Sequence, residues 1–131
     1  MGCSRILINI CSDALAASRD FYVELLGLKV NYNSDWYVQL KCPDHPELEL
    51  GIIRRDHELV PAHYQTQPSG MYVTFVVPNV DVTYQKALAQ GRDILQPPRN
   101  EFYGQRRFLT QDPSGCLVDI CSPWSEDEQA T

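Results

Sequence analysis

The sequence predicts an α+β fold made of two βαβββ modules. Three observations carry that expectation. Several short segments alternate apolar and polar residues at period two, as half-buried strands do. One segment in each half instead spaces its apolar residues as a helix does. The whole pattern then restarts after a polar stretch near the middle, so that two helix-ending glycines, Gly27 and Gly91, stand 64 residues apart.

Module one covers about residues 5–53. Arg5–Cys11 reads as a strand, with Ile6, Ile8 and Ile10 on one side and Leu7, Asn9 and Cys11 on the other. Ser12 and Asp13 offer a helix cap. Residues 14–26 follow with Leu15, Phe21, Tyr22, Leu25 and Leu26 at helical spacing, and Gly27 stands where a left-handed terminator belongs. Strands are expected over 28–31, 36–41 and 48–53, the last alternating Leu48, Leu50 and Ile52 with Glu49, Gly51 and Ile53. The run Cys42-Pro43-Asp44-His45-Pro46 is turn chemistry. Residues 54–70 are polar, carry Pro61 and Pro68, and read as a linker.

Module two covers 71–124. Met71–Val77 is expected as a strand, and Asn79-Val80-Asp81 caps a helix from about Val82 to Gln90. Ile94-Leu95 reads as a short strand closed by Pro97-Pro98. Strands over 106–110 and 116–121 are joined by Asp112-Pro113-Ser114-Gly115, a strong turn signal. An acidic tail, 125–131, is expected to fray. Each module leaves one sheet face bare. Set side by side, the two would make a curved mixed sheet around a central cavity with the helices outside, and such a cavity suits a small molecule.

The 131 residues suffice for one domain with a real core, and 44% hydrophobic with 21% charged residues excludes wholesale disorder. A net charge of −6 disfavours nucleic-acid binding, although Arg54-Arg55 and Arg106-Arg107 are local basic pairs. The longest apolar-leaning stretch, Met71–Pro78, is too short to span a bilayer, and no signal-peptide pattern opens the chain. Five cysteines, an odd number without a C-x-x-C, read as reduced thiols, so a cytoplasmic location is expected.

The stretch D-A-L-A-A-S-R-D-F-Y-V-E-L-L-G-L (Asp13–Leu28) resembles the helix signature of the vicinal oxygen chelate superfamily. That superfamily includes glyoxalase I, fosfomycin-resistance enzymes, extradiol dioxygenases and bleomycin-resistance proteins. F-V-V-P-N-V-D-V (Phe75–Val82), F-Y-G-Q-R-R-F (Phe102–Phe108) and Q-D-P-S-G-C-L-V-D-I (Gln111–Ile120) extend the likeness over nearly the whole chain. The resemblance implies a divalent metal (Mg2+, Mn2+, Zn2+ or Ni2+) held by up to four side chains on the concave face. Carried over, those positions fall on Leu7, Glu49, Tyr72 and Asp119, with Glu49 and Asp119 at matching places in the two modules. Leucine cannot ligate and a phenol seldom does, which leaves Glu49 and Asp119 as metal or catalytic candidates. The His-His-Glu set of an iron dioxygenase is missing. The resemblance also implies a homodimer.

Strand parity reaches the same face independently: Asn9, Glu49, Tyr72, Thr74 and Asp119 lie opposite the apolar rows. Three roles are open to the two carboxylates: holding a hard cation, serving as acid and base, or simply pairing with a pocket arginine or facing water. Trp36, Gln39, Tyr103 and Phe108 are further candidate pocket residues, with Phe102 in the same aromatic set. One of Arg106 and Arg107 would face the pocket, there either to suit an anionic ligand group or to form a salt bridge with Glu49, Asp119 or the acidic tail. His45, His57 and His63 fall in turns or the linker, and Cys11 and Cys121 read as inert. Two functions follow. The first is a small-molecule-binding protein of the bleomycin-resistance type. The second is a metal-dependent lyase, isomerase or transferase using Glu49 and Asp119.

Overall fold

The protein is described here by a computed structural model covering residues 2–124; the acidic tail lies outside the described residues. Among the described residues, two α-helices and eight strands follow one another as βαβββ twice, as expected. The described residues form two compact units, one taking 2–68 with Asp112–Cys116, the other taking Ser69–Gln111 with 117–124.

In unit one, β1 (Ile8–Ser12), β2 (Lys29–Asn33), β3 (Tyr37–Cys42) and β4 (His45–Arg54) form a four-stranded sheet in the order β1-β4-β3-β2. β1 runs parallel to β4 and the other pairs are antiparallel. Helix α1 (Leu15–Leu26) buries Ser18, Phe21, Tyr22 and Leu25, an i, i+3, i+4, i+7 stripe. Against it the sheet buries Ile10, Val38, Leu40, Leu50 and Ile52. Gly27 ends the helix at φ 70°, as expected, and its N–H bonds the Val23 carbonyl. Asp13 does not cap the helix: it pairs with Arg55 at 3.4 Å, while Ser12 Oγ accepts from the Ala14 N–H and meets Ser18 Oγ at 2.8 Å.

The turn before β4 is shorter than expected. Only Pro43 and Asp44 lie outside the ladder, because Cys42 pairs with His45, and His45 therefore opens a strand. Residues 54–70 are ordered, not a free linker: they contain a short 3-10 helix (Ala62–Tyr64) and bury Val60. Gln65 Nε2 donates to the Val60 carbonyl at 2.9 Å. The turn 112–116 belongs to this unit. Buried Asp112 accepts from the Ser114 and Cys116 N–H groups, and from the Tyr22 hydroxyl at 2.6 Å.

In unit two, β5 (Tyr72–Val76), β6 (Ile94–Asn100), β7 (Gln105–Gln111) and β8 (Leu117–Pro123) repeat the plan in the order β5-β8-β7-β6. Helix α2 (Val80–Ala89) starts two residues before the expected Val82, because Asn79 is itself the cap and accepts from the Asp81 and Val82 N–H groups. It covers Phe108, Val118 and Ile120. Pro97 and Pro98 do not close β6; they lie within it, which an edge strand with two register shifts tolerates. No helix among the described residues is long and apolar enough to cross a membrane.

Candidate functional site

Period-two alternation decides what unit one presents on the face away from α1. With Leu50 and Ile52 under the helix, Glu49, Gly51 and Ile53 turn the other way, and the neighbouring strands add Asn9, Tyr37 and Gln39. Asn9 and Gln39 flank Gly51 in one cross-strand row. The missing side chain matters. A Cβ at Gly51 would collide with Asn9 Oδ1 and come within 2.6 Å of the Tyr37 hydroxyl. In its absence Asn9 lies over the strand and accepts from the Tyr37 hydroxyl at 3.0 Å.

Glu49 anchors the rest. Arg5 grips it with a fork, Nη2 to Oε1 at 2.6 Å and Nε to Oε2 at 2.7 Å, and Gln39 Nε2 donates to Oε1 at 2.8 Å. Asn31 Nδ2 in turn donates to Gln39 Oε1 at 2.7 Å. The Arg5 hydrogen bonds hold the Glu49 carboxyl below its usual range against the opposing pull of burial, and the same bonds raise Arg5. Burial raises the Tyr37 phenol, which stays a neutral donor.

Above this floor lies an open cleft of about 590 Å³. Arg5, Asn9, Asn31 and Gln39 supply its polar lining, and Leu7, Tyr32, Trp36 and Tyr37 its apolar walls. Trp36 is set in place by His57, whose ring stacks on it at 4.1 Å and 14°. Tyr37 lies 5.6 Å from Trp36 and 6.3 Å from Tyr32.

Unit two uses its corresponding face differently. Asp119, with a side chain only 7% exposed, accepts from Thr74 Oγ1 at 2.9 Å. Its Oδ1 stands 3.6 Å from Arg107 Nε, and neither atom has a hydrogen-bond partner. Arg107 donates to the Tyr103 hydroxyl at 3.0 Å, which with nearby Asp119 raises its pKa. Cys121 lies on the same face, and burial pushes its thiol up; burial and Asp112 push Cys116 up to about 12. Neither is a poised nucleophile.

Of the sequence candidates, Asn9, Trp36 and Gln39 meet at the unit-one cleft, while Thr74, Tyr103, Arg107 and Asp119 meet in unit two. Half-exposed Tyr72 stands one alternation from Thr74 on the same edge strand. Two candidates are corrected. Arg106 turns to the helix side and pairs with Asp81 at 3.0 Å, so Arg107 is the arginine on the open face. Phe108 lines no pocket: it is fully buried under α2, edge-on to Tyr84 at 5.3 Å. Glu49 and Asp119 do not stand at matching places. Asn9 and Thr74 each lie six residues before their helix, yet the residue opposite Thr74 is Asp119, while the one opposite Asn9 is Gly51. Sequence reasoning missed Arg5, Asn31, Tyr32, Tyr37 and the role of Gly51. A lone glycine inside an apolar strand was the available signal. The bulge between Val30 and Tyr32, which resets parity there, had none.

The family model for the glyoxalase/bleomycin resistance protein/dioxygenase superfamily matches residues 6–120. The chain belongs to this superfamily. Solved structures agree on the fold. A superfamily member from Sphaerobacter thermophilus is similar with a TM-score of 0.76 and 19% identity, covering 93% of this chain and 98% of its own. One from Nocardioides gives 0.71 and 20%, covering 95% and 86%. A hypothetical protein from S. aureus gives 0.76 and 20%, covering 93% and 95%. No curated protein matches.

Superfamily members often use a divalent metal, and the residues here do not fit one. Leu7 offers no donor atom, and Glu49 already accepts three hydrogen bonds from Arg5 and Gln39. Asp119 is engaged by Thr74 beside a guanidinium. Among the described residues no three His, Cys, Asp or Glu side chains cluster.

Proposed function

We propose that this superfamily member is a small-molecule-binding protein of the bleomycin-resistance type, which takes an organic ligand in the unit-one cleft without a metal. The observation that carries the reading is the state of Glu49. A carboxylate forked by Arg5 and hydrogen-bonded to Gln39 is an anchor for cleft-lining side chains, not a vacant ligand. The cleft has the size and the mixture of aromatic walls with few polar groups that ligand sites have. Under this reading Asn9, Trp36 and Gln39 contact the ligand, and Thr74, Tyr103, Arg107 and Asp119 form a separate polar cluster. A homodimer in the cytoplasm, binding no nucleic acid, belongs to the same proposal.

The test is metal content of untagged protein, with melting temperatures after EDTA and after adding Mg2+, Mn2+, Zn2+ or Ni2+. The expected result is no stoichiometric metal and no shift, with stabilisation by members of an aromatic compound library. A stoichiometric metal, lost from the Glu49→Gln, Asp119→Asn double variant, would overturn it in favour of the metal-dependent lyase, isomerase or transferase.

A further inference from the structure

We infer that the unit-one cleft takes a planar aromatic acid, its oxyanion on the outer edge of Arg5; the inference rests on the cleft being a ligand site, as proposed above. The geometry of the guanidinium comes first. Two of its edges can each offer a pair of parallel N–H groups to an oxyanion. Glu49 takes the inner edge, made of Nε and Nη2. The outer edge, made of Nη1 and the second N–H of Nη2, bonds no described residue. Arg5 lines the cleft, and its side chain is 56% exposed, so that edge is open to a ligand.

Charge comes second. Lys29, Lys41 and Glu49 stand opposite one another in a single cross-strand row, so all three share the open face. Lys41 Nζ is 3.9 Å from Glu49 Oε1. With Arg5, this end of the face sets three cations against one carboxylate, in a chain whose net charge is −6. Glu47, two residues away on β4, stands 3.6 Å from His45, and counting it still leaves positive charge in excess. Two lysines directly opposite repel each other. An anion beside Arg5 relieves that repulsion, and the lysines offset the repulsion it meets from Glu49. An uncharged ligand relieves nothing, and a cation adds to the excess.

Shape comes third. Trp36 is pinned by the His57 stack and flanked by Tyr37, so a flat wall is ready before a ligand arrives. Tyr37 carries that wall towards the charged end. Its hydroxyl reaches Asn9 beside Gly51, and while burial raises the phenol, Arg5 is near enough to pull it the other way. Rigid aromatic walls favour planar rings at little entropic cost.

The test uses the full chain labelled with 15N, following the Arg5 Nε–H and Trp36 indole N–H signals. The probes share one skeleton: 2-naphthoate, 2-naphthyl phosphate, 2-naphthamide, 2-naphthylmethylammonium and decahydro-2-naphthoate. An aromatic anion should move both signals, and the tighter of the carboxylate and the phosphate assigns the oxyanion. The amide, the ammonium and the saturated acid should each bind at least about tenfold more weakly. Arg5→Lys keeps the charge but loses the paired N–H edge, and should weaken the anion by about tenfold, read at Trp36. Lys41→Gln leaves the Arg5 fork in place, and should weaken the anion by about threefold.

The amide, the ammonium or the saturated acid binding as tightly through the same signals would overturn the ligand class and leave the cleft standing as a site. Unchanged anion affinity in Arg5→Lys would also overturn it, and should that variant fold poorly, unchanged affinity in Lys41→Gln does the same. If no probe at millimolar concentration moves the signals, the reading of the cleft as a ligand site falls as well.

Discussion

Unit one and unit two share a strand order and a helix-covered face, and they treat the opposite face in contrasting ways. In unit one the row beside the parallel strand pair holds Asn9, Gly51 and Gln39, so the floor is thin, polar and neutral. Its carboxylate, Glu49, lies one pleat away under an arginine that is 56% exposed. In unit two that row holds Thr74 and Asp119, with Arg107 beside them, and both charged side chains are largely buried. One pleat of displacement converts a buried charge pair into a cleft floor. The same topology thus supplies a buried charged pair in one copy and an open polar cleft in the other, and what each acid does follows from its neighbours more than from its place in the repeat.

Four outcomes would break or sharpen this contrast. The largest concerns the acids. Asp119→Leu should destabilise by about 2–3 kcal/mol in urea unfolding, because it removes the buried carboxylate beside the mostly buried Arg107 and leaves only the more distant Glu101 to balance it. Glu49→Gln, beside water-exposed Arg5, should cost far less; equal losses would erase the distinction. Next comes Tyr22, seven residues into α1, whose counterpart seven residues into α2 is Ala87. Tyr22→Phe should cost about 1–2 kcal/mol by removing the hydroxyl that satisfies buried Asp112. A neutral result there would make the Asp112 turn self-sufficient.

Gly51→Ala separates fold from site. The atoms its Cβ would strike are the ends of two side chains, not backbone. Stability should therefore change by less than about 1 kcal/mol, while the melting shift given by an aromatic compound that stabilises the unchanged protein is lost or falls sharply. The smallest effect is in pH. Glu49 has a folded-state pKa lowered by Arg5, so its contribution is fully present above about 4.5 and lost as the pH falls below that value. Arg5→Met should remove this part of the acid-side decline in melting temperature and leave the neutral-pH side unchanged.

The strand and helix pattern was legible because Ile10, Leu50, Ile52, Phe21, Tyr22 and Leu25 carry their periodicity in a few consecutive residues. Edges were less so. Local sequence offers Asn79, Val80 and Asp81 alike as the capping run and so sets the start of α2 at Val82, and it reads Pro97-Pro98 as a stop because an edge strand cannot be told from a central one by local sequence. At the site, parity put Asn9 and Gln39 on the right face. Parity could not choose between Arg106 and Arg107, since adjacent residues point opposite ways and the register of β7 against β8 decides which.

By itself the sequence determined the doubled βαβββ order, the helix ends at Gly27 and Gly91, and which alternating rows avoid the core. These depend on propensity and periodicity, which act between neighbours in the chain. Only the tertiary structure decided that Arg5 reaches Glu49, that Gly51 makes room for Asn9, that Tyr22 finds Asp112, and that Gly51 rather than Glu49 corresponds to Asp119. Each is a pairing of distant segments, set by strand register and by the space one side chain leaves for another, and no local pattern encodes such a pairing.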